Sequence, residues 1–162
     1  MKFLLTLAAC IGLTLCAYSQ IDASYINPFV GTGGHGHTHP SATVPFGMVQ
    51  VGPDTRLTGW DGCSAYHYTD TTVYGFSHTH LSGTGVSDYG DILFRPIVDK
   101  AMAKRNMATG FKKADEVAKA GYYSVLLENG IRCEFTASER VGMHRYTFPR
   151  NQNAIIFIDL NH

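Results

Sequence analysis

Tyr122-Tyr123-Ser124-Val125-Leu126-Leu127-Glu128-Asn129-Gly130-Ile131-Arg132-Cys133-Glu134-Phe135-Thr136 places two runs of apolar and β-branched residues on either side of an Asn-Gly pair. That dipeptide tolerates the positive φ angles of a type I′ turn, so the stretch predicts a β-hairpin. Its second arm alternates. Ile131, Cys133 and Phe135 fall on one face and Arg132, Glu134 and Thr136 on the other, as a strand with one side against a core requires. Outward from this hairpin, residues 141–148 continue the pattern, 149–153 turn the chain, and 154–160 form an unbroken apolar run expected for a strand covered on both faces. Upstream, residues 25–30, 48–51, 73–77 and 92–98 read as strands bounded by Gly, Pro or Asp. The count predicts an all-β chain folded as a two-layer β-sandwich. Residues 100–119 are polar and Ala-rich, and we expect a mobile connection there with one short helix at 114–119.

The first residues read as an export signal. Lys2 gives the positive start, residues 3–15 the apolar stretch, and Ala17-Tyr18-Ser19 a small-x-small cleavage site, so maturation is expected at Gln20. This predicts a protein delivered to the periplasm, the cell surface or the medium. The apolar stretch is shorter than the roughly 20 residues that cross a bilayer, and no later segment comes closer, so no membrane span is expected. Residues 20–162 have the size of one domain. Charge is balanced at 13 basic and 13 acidic residues, which argues against nucleic acid or an anionic membrane as partner. Cys63 and Cys133 remain after cleavage, and either a disulfide or two buried thiols fits them. The chain stops directly after the apolar run, at Ile158-Asp159-Leu160-Asn161-His162, and we expect a fragment of a longer protein.

Three stretches carry possible chemistry. Gly31-Thr32-Gly33-Gly34-His35-Gly36-His37-Thr38-His39-Pro40 combines backbone freedom with imidazoles two residues apart. They are either zinc or copper ligands or histidines bonded to neighbouring strands, and no carboxylate or Cys nearby completes a tetrahedral set. Gly59-Trp60-Asp61-Gly62-Cys63-Ser64-Ala65-Tyr66-His67-Tyr68 holds the only Trp, beside an acid and between glycines. An aromatic face against a sugar's C–H side, with a carboxylate accepting from its hydroxyls, suits such a pair. The alternative is a core Trp followed by a turn. Gly75-Phe76-Ser77-His78-Thr79-His80-Leu81-Ser82-Gly83-Thr84-Gly85, then Asp88-Tyr89-Gly90-Asp91, either lines a polar cleft or ends a strand in a tight turn. Glycoside hydrolysis with inversion needs two carboxyl groups about 6.5–9.5 Å apart, one protonated and one ionised. Asp54, Asp61, Asp70, Asp88 and Asp91 all sit beside turn formers, with no apolar setting to raise a pKa, so no catalytic residue is assigned.

These stretches, with Asn27-Pro28-Phe29-Val30, Pro45-Phe46-Gly47-Met48-Val49-Gln50, Gly121-Tyr122-Tyr123-Ser124-Val125 and His144-Arg145-Tyr146-Thr147-Phe148-Pro149, closely resemble the N-terminal region of glycoside hydrolase family 92. The resemblance spans nearly the whole mature chain; His39 departs from it, standing where an aromatic residue is expected. It implies a galactose-mutarotase-like N-terminal sandwich followed by a helical catalytic domain that this sequence lacks, and a calcium-dependent, inverting, exo-acting α-mannosidase as the whole. Catalytic carboxylates and calcium ligands would belong to the helical domain, so no metal site is assigned here. Mannose-containing glycans are the implied partners. The resemblance carries substrate binding to Trp60, Asp61 and Cys63, with Arg56 and His80 added because they flank the same loops. Two other readings stay open: a small exported glycan-binding module acting alone, and a metal-binding protein built on His35, His37, His39, His78 and His80.

Overall fold

The structure is a computed structural model that describes residues 22–83, 90, 92–150 and 152–162. The expected leader, and with it the cleavage site, lies outside the described residues, as do Asp88 and Asp91. Two sheets face one another. One has the order β1 (Gly52–Asp54), β3 (Gly75–Ser77), β4 (Leu93–Ile97) and β9 (Ile155–Asp159). The other runs β2 (Thr72–Val73), β5 (Thr109–Lys119), β6 (Tyr122–Leu127), β7 (Arg132–Ala137) and β8 (Gly142–Thr147). The described residues are thus nearly all β and form the two-layer arrangement that the spacing of strands predicts. Among them, no helix is long and apolar enough to cross a membrane.

The Asn-Gly hairpin is present as β6 and β7, paired antiparallel from Tyr122↔Thr136 to Leu126↔Arg132. Its turn differs from the expected one. Gly130 has a φ of 82°, but Asn129 does not share a positive φ. Gly130 N–H donates to Leu127 O at 2.8 Å and Leu127 N–H to Ile131 O at 2.9 Å, which makes a three-residue connection ending in a left-handed glycine. The Asn129 side chain accepts from Ile131 N–H at 3.2 Å, so its oxygen braces the turn instead of its backbone. This register points Ile131, Cys133 and Phe135 inward, each almost wholly enclosed.

The core lies between the sheets. Phe76 of β3 meets Phe135 of β7 with ring centroids 4.4 Å apart, and Val51, Val73, Phe111, Tyr123, Val125 and Leu127 pack around them. Cys63 and Cys133 are both buried thiols, not a disulfide. At the β8 side the sheets are joined by two imidazoles, because His78, just past β3, reaches His144 of β8 with Nε2 atoms 2.5 Å apart. One nitrogen donates and the other accepts, which requires at least one neutral ring.

Several expectations are corrected. Residues 100–119 are neither mobile nor helical at 114–119: after a single 3-10 turn at Lys100–Met102, the chain forms β5, an eleven-residue strand and the longest described. Two features fix it. The enclosed Arg95 guanidinium donates to the carbonyls of Met102, Lys104 and Met107, pinning the approach, and β6 supplies a full pairing edge that local composition does not announce. Residues 25–30 are not a strand. Asp22 caps a 3-10 turn at Ala23–Tyr25, and Asn27 caps Phe29 N–H, so short polar side chains close turns there. Of residues 48–51 only Val51 makes a bridge, to Ala42, and the strand begins at Gly52. Residues 73–77 break at Tyr74 into β2 and β3, one in each sheet. Finally, β9 is covered on one face only, since Ile156 and Ile158 are 39% and 50% exposed.

Two measurements follow from this packing. Phe135→Ala should lower the unfolding free energy by about 3–5 kcal/mol with the urea m-value unchanged, because its ring fills the inter-sheet core. The imidazole bridge predicts a pH dependence. Burial, then His78 beside it, pushes His144 down to about 4, and burial, then His80, lowers His78. An unfolded histidine titrates near 6.5. The neutral rings therefore stabilise the fold fully above about pH 6.5, and that contribution declines as pH falls from there toward 4. In urea titrations across this window His144→Phe should show a shallower loss of stability than the parent; an equal slope would remove the bridge as its cause.

Candidate functional site

Chain reversals bring the three glycine- and histidine-rich stretches to one place. Gly83 N–H donates to His37 O at 2.7 Å, Tyr68 N–H to Thr32 O at 2.8 Å, and Ser64 Oγ–H to Thr38 O at 3.1 Å. His67 Nε2 bonds Gly34 O at 3.0 Å. Glycine is required where the segments touch: a Cβ on Gly36 would lie 1.9 Å from Gly31 O.

At the surface of this cluster stands Trp60. Gly59, with φ at 82°, opens a 3-10 turn over Trp60–Gly62 that lifts the indole outward, and the residue is 60% exposed. That exposure excludes the core-anchor reading. Asp61 lies beside it, and its Oδ1 takes hydrogen bonds from two imidazoles, His35 Nδ1 at 2.8 Å and His37 Nε2 at 3.2 Å. The bond from His35, then that from His37, hold the Asp61 carboxyl below the usual range, so it is an acceptor at neutral pH. His37 is buried at a φ of 52° and meets the Trp60 ring edge-on at 5.3 Å. A non-glycine residue in that region of φ is a sign of imposed geometry. His35 is mostly exposed. The arrangement offers one aromatic face, one carboxylate and one exposed imidazole within a single surface.

The remaining residues singled out above support this surface from beneath. Cys63 is buried and its Sγ donates to Trp60 O at 2.9 Å, closing the 3-10 turn. Arg56 pairs with Asp70 at 2.5 Å and packs under Gly62, where a Cβ would come 3.3 Å from the arginine Cγ. His80 lies in the interior: its Nε2 bonds Asp54 Oδ1 at 2.8 Å and its Nδ1 bonds Gln50 O at 2.7 Å, and neither side chain has exposed surface. Burial alone would raise the Asp54 carboxyl, but His80 and His162 beside it bring it below the ordinary range.

A group the sequence did not announce holds the loop in place. Where β5 bulges, five steps from Phe111 to Glu116 match two steps of β6. The bulge turns Lys113 and Glu116 toward Tyr66. Glu116 is 8% exposed and accepts from Tyr66 Oη–H at 2.9 Å, Tyr123 Oη–H at 2.7 Å and Lys113 Nζ at 3.0 Å. The ammonium of Lys113 also lies over the rings of Tyr66 and Tyr68 at 4.7 and 5.0 Å. No local motif reveals this; the hairpin that sets Glu116 near Tyr123 is itself seen only in the fold.

Among the described residues, no group of three or more His, Cys, Asp or Glu side chains is arranged to hold a metal ion. His35 and His37 converge on Asp61, His78 on His144, and His80 on Asp54. Calcium takes six to eight oxygens, and the imidazole-rich surroundings of Asp61 do not fit it.

Comparison with known proteins gives the family of the fold. The solved structure of a family GH92 α-mannosidase from Bacteroides thetaiotaomicron superposes with a TM-score of 0.82 at 41% identity, covering 86% of this chain and 20% of that one. The same enzyme has been solved in complex with mannoimidazole. A family GH92 inverting mannosidase from the same organism gives a TM-score of 0.68 at 26% identity, covering 83% of this chain and 19% of that one. An uncharacterized secreted glycosidase of Arthroderma benhamiae is 29% identical over 156 residues, 91% of this chain and 20% of its own. The chain thus spans about a fifth of the length of these relatives. The description "Glycosyl hydrolase family 92 N-terminal domain" fits residues 25–162, and the chain therefore belongs to that family.

Proposed function

We propose that this chain is the glycan-facing sandwich of an exported, exo-acting α-mannosidase, with a leader at residues 1–19, the sandwich at 20–162, and the acid, base and calcium ligands on a helical domain outside it. One observation carries the reading. Trp60 is held exposed beside an ionised Asp61, on the only tryptophan-bearing loop, by contacts that converge from three segments. Sugar recognition combines an apolar ring face with a few placed acceptors. The mannoimidazole-bound relative supports a mannoside as the ligand, and the secreted relative supports export.

In this mechanism Trp60 packs against the C–H face of a terminal mannose and Asp61 accepts from a hydroxyl. His35, the exposed member of the cluster, adds a second polar contact. Cys63 and Arg56 position the loop, and His80 acts through the interior by holding Asp54. Calcium would contribute electrostatic stabilisation of a distorted sugar, but the donors described here do not suit it and no step on this chain passes through it. Asp54 and Asp61 are both held ionised, whereas a general acid needs a raised carboxyl.

Purified chain should release no mannose from α-mannosides; measurable turnover, assayed by mannose release and abolished in Asp61→Asn, would show that the chemistry resides here. Titration calorimetry with methyl α-mannoside and mannobiose separates the two binding classes. The half-pocket reading expects weak heats that Trp60→Ala reduces by about 1–2 kcal/mol of binding free energy. Tight saturable binding by the chain alone would favour a self-sufficient lectin module.

A further inference from the structure

His37 bears two local costs that its loop does not require. Its φ of 52° is a left-handed angle that glycine adopts freely and a residue with a Cβ resists. Its ring is buried, and Nδ1 has no hydrogen-bond partner among the described residues, a state that buried polar atoms seldom adopt. The loop itself is closed by backbone bonds. Gly36 N–H donates to Gly33 O at 3.1 Å and Thr38 N–H to Gly31 O at 3.2 Å. At His37 the backbone contact is its carbonyl, which accepts from Gly83 N–H at 2.7 Å. Any residue offers that carbonyl, and glycine would offer it without strain, so loop closure does not account for the imidazole.

What the side chain touches lies on another loop. Its Nε2 bonds Asp61 Oδ1 at 3.2 Å, and because an ionised carboxylate only accepts, the hydrogen sits on Nε2. The ring stands at 88° to the Trp60 indole with centroids 5.3 Å apart, an edge-to-face contact. Both of these partners are open to solvent, whereas the His37 side chain is only 2% exposed. An indole as exposed as Trp60 has few neighbours to fix its side-chain torsions. His35 bonds the same Asp61 oxygen but is itself 82% exposed, so the enclosed support common to the ring and the carboxylate is His37.

We propose that His37 is a positioning residue for the Trp60 surface: its buried imidazole sets the angle of the indole and the offset of the Asp61 carboxylate, so that a ligand with an apolar C–H face and a hydroxyl at that offset meets both at once. The inference rests on the sugar reading above for its ligand, but not for its geometry. A carboxylate and a ring held at one offset bind better than the same groups free to turn, because their ordering is complete before the ligand arrives. The positive φ and the unpartnered Nδ1 are the local cost of that order.

Trp60 is the only tryptophan of the chain, so a single indole N–H resonance of the ¹⁵N-labelled full chain reports on this surface. Without ligand, the heteronuclear NOE of that resonance should fall in His37→Gly, as it does for a mobile side chain. The melting temperature should stay within about 4 °C of the parent's, since relief of the positive φ offsets the lost contacts. His37→Gln, which returns a donor near the place of Nε2, should recover part of the order. With methyl α-mannoside, the indole shift of His37→Gly should need about tenfold more ligand to saturate than the parent's, with His37→Gln between them. The proposal is overturned if the indole is as ordered in His37→Gly as in the parent, or if a mannoside that binds the parent binds this variant equally well. A melting temperature lowered by more than about 4 °C in His37→Gly would make the residue a structural one and overturn it too. The NOE comparison needs no sugar, so a parent indole unmoved by mannoside counts against the sugar reading alone.

Discussion

A carboxylate taken out of water between two layers must be met on every side, and Glu116 is met by two phenols and an ammonium. Leaving such a group without its partners costs about 3–5 kcal/mol, so its surroundings are tightly specified. The consequences spread outward. Glu116 can reach Tyr66 only because β5 bulges after Phe111, and the bulge in turn requires the full pairing of Lys119 to Glu116 with β6. Burial and the adjacent Glu116 push the Tyr66 phenol far up, so it stays a donor at any physiological pH. Tyr66 ends the loop that carries Trp60, and Ala65 before it adopts a φ of 59° while its carbonyl accepts from Thr55 and Arg56. The exposed indole thus sits on a loop whose end is anchored by a buried polar knot.

A second polar knot sits under the other end of the surface. Asp54, on β1, is enclosed with His80 and bonded by Ser77 Oγ–H of β3 at 3.0 Å. Burial alone would lower His80, but Asp54 beside it carries it above the ordinary value, so the pair is ionic. Because His80 stacks near His39 at 5.2 Å, the glycine-rich loop rests on this pair. The two knots anchor the loops that carry Trp60 and His39, which explains how loops rich in glycine can hold a defined geometry: rigidity comes from the buried charges they pack against, not from the loops themselves.

These supports differ from a general hydrophobic core in what they allow. The Phe76 and Phe135 contact tolerates repacking by residues of similar volume. The polar knots do not, since their hydrogen bonds are directional and a substituted partner leaves a buried charge unmet. The sandwich is therefore a precise mount for the exposed Trp60 surface.

The Asn-Gly pair identified the hairpin, the count of short apolar runs the all-β class, and alternation the inward face of β7, because a period of two is a property of the pleat that any half-buried strand obeys. The stretches around Trp60 and the histidines were likewise legible, since a lone Trp beside an acid and between glycines marks a loop by composition alone. Residues 100–119 were misread for the opposite reason. Lys113 and Glu116 look like solvent-facing charges, and only the bulged pairing of β5 with β6 and the packing against Tyr66, distant in sequence, turn them inward. His80 flanks the glycine-rich loops in the sequence, and only the fold sets Asp54, from β1, beside it in the interior. Local chemistry determined the hairpin and the strands that follow it; the extension of β5 and the choice of which charges are buried belonged to tertiary structure, because a strand's pairing edge and a side chain's partner, and hence its electrostatic cost, are set by residues that the chain brings together only on folding.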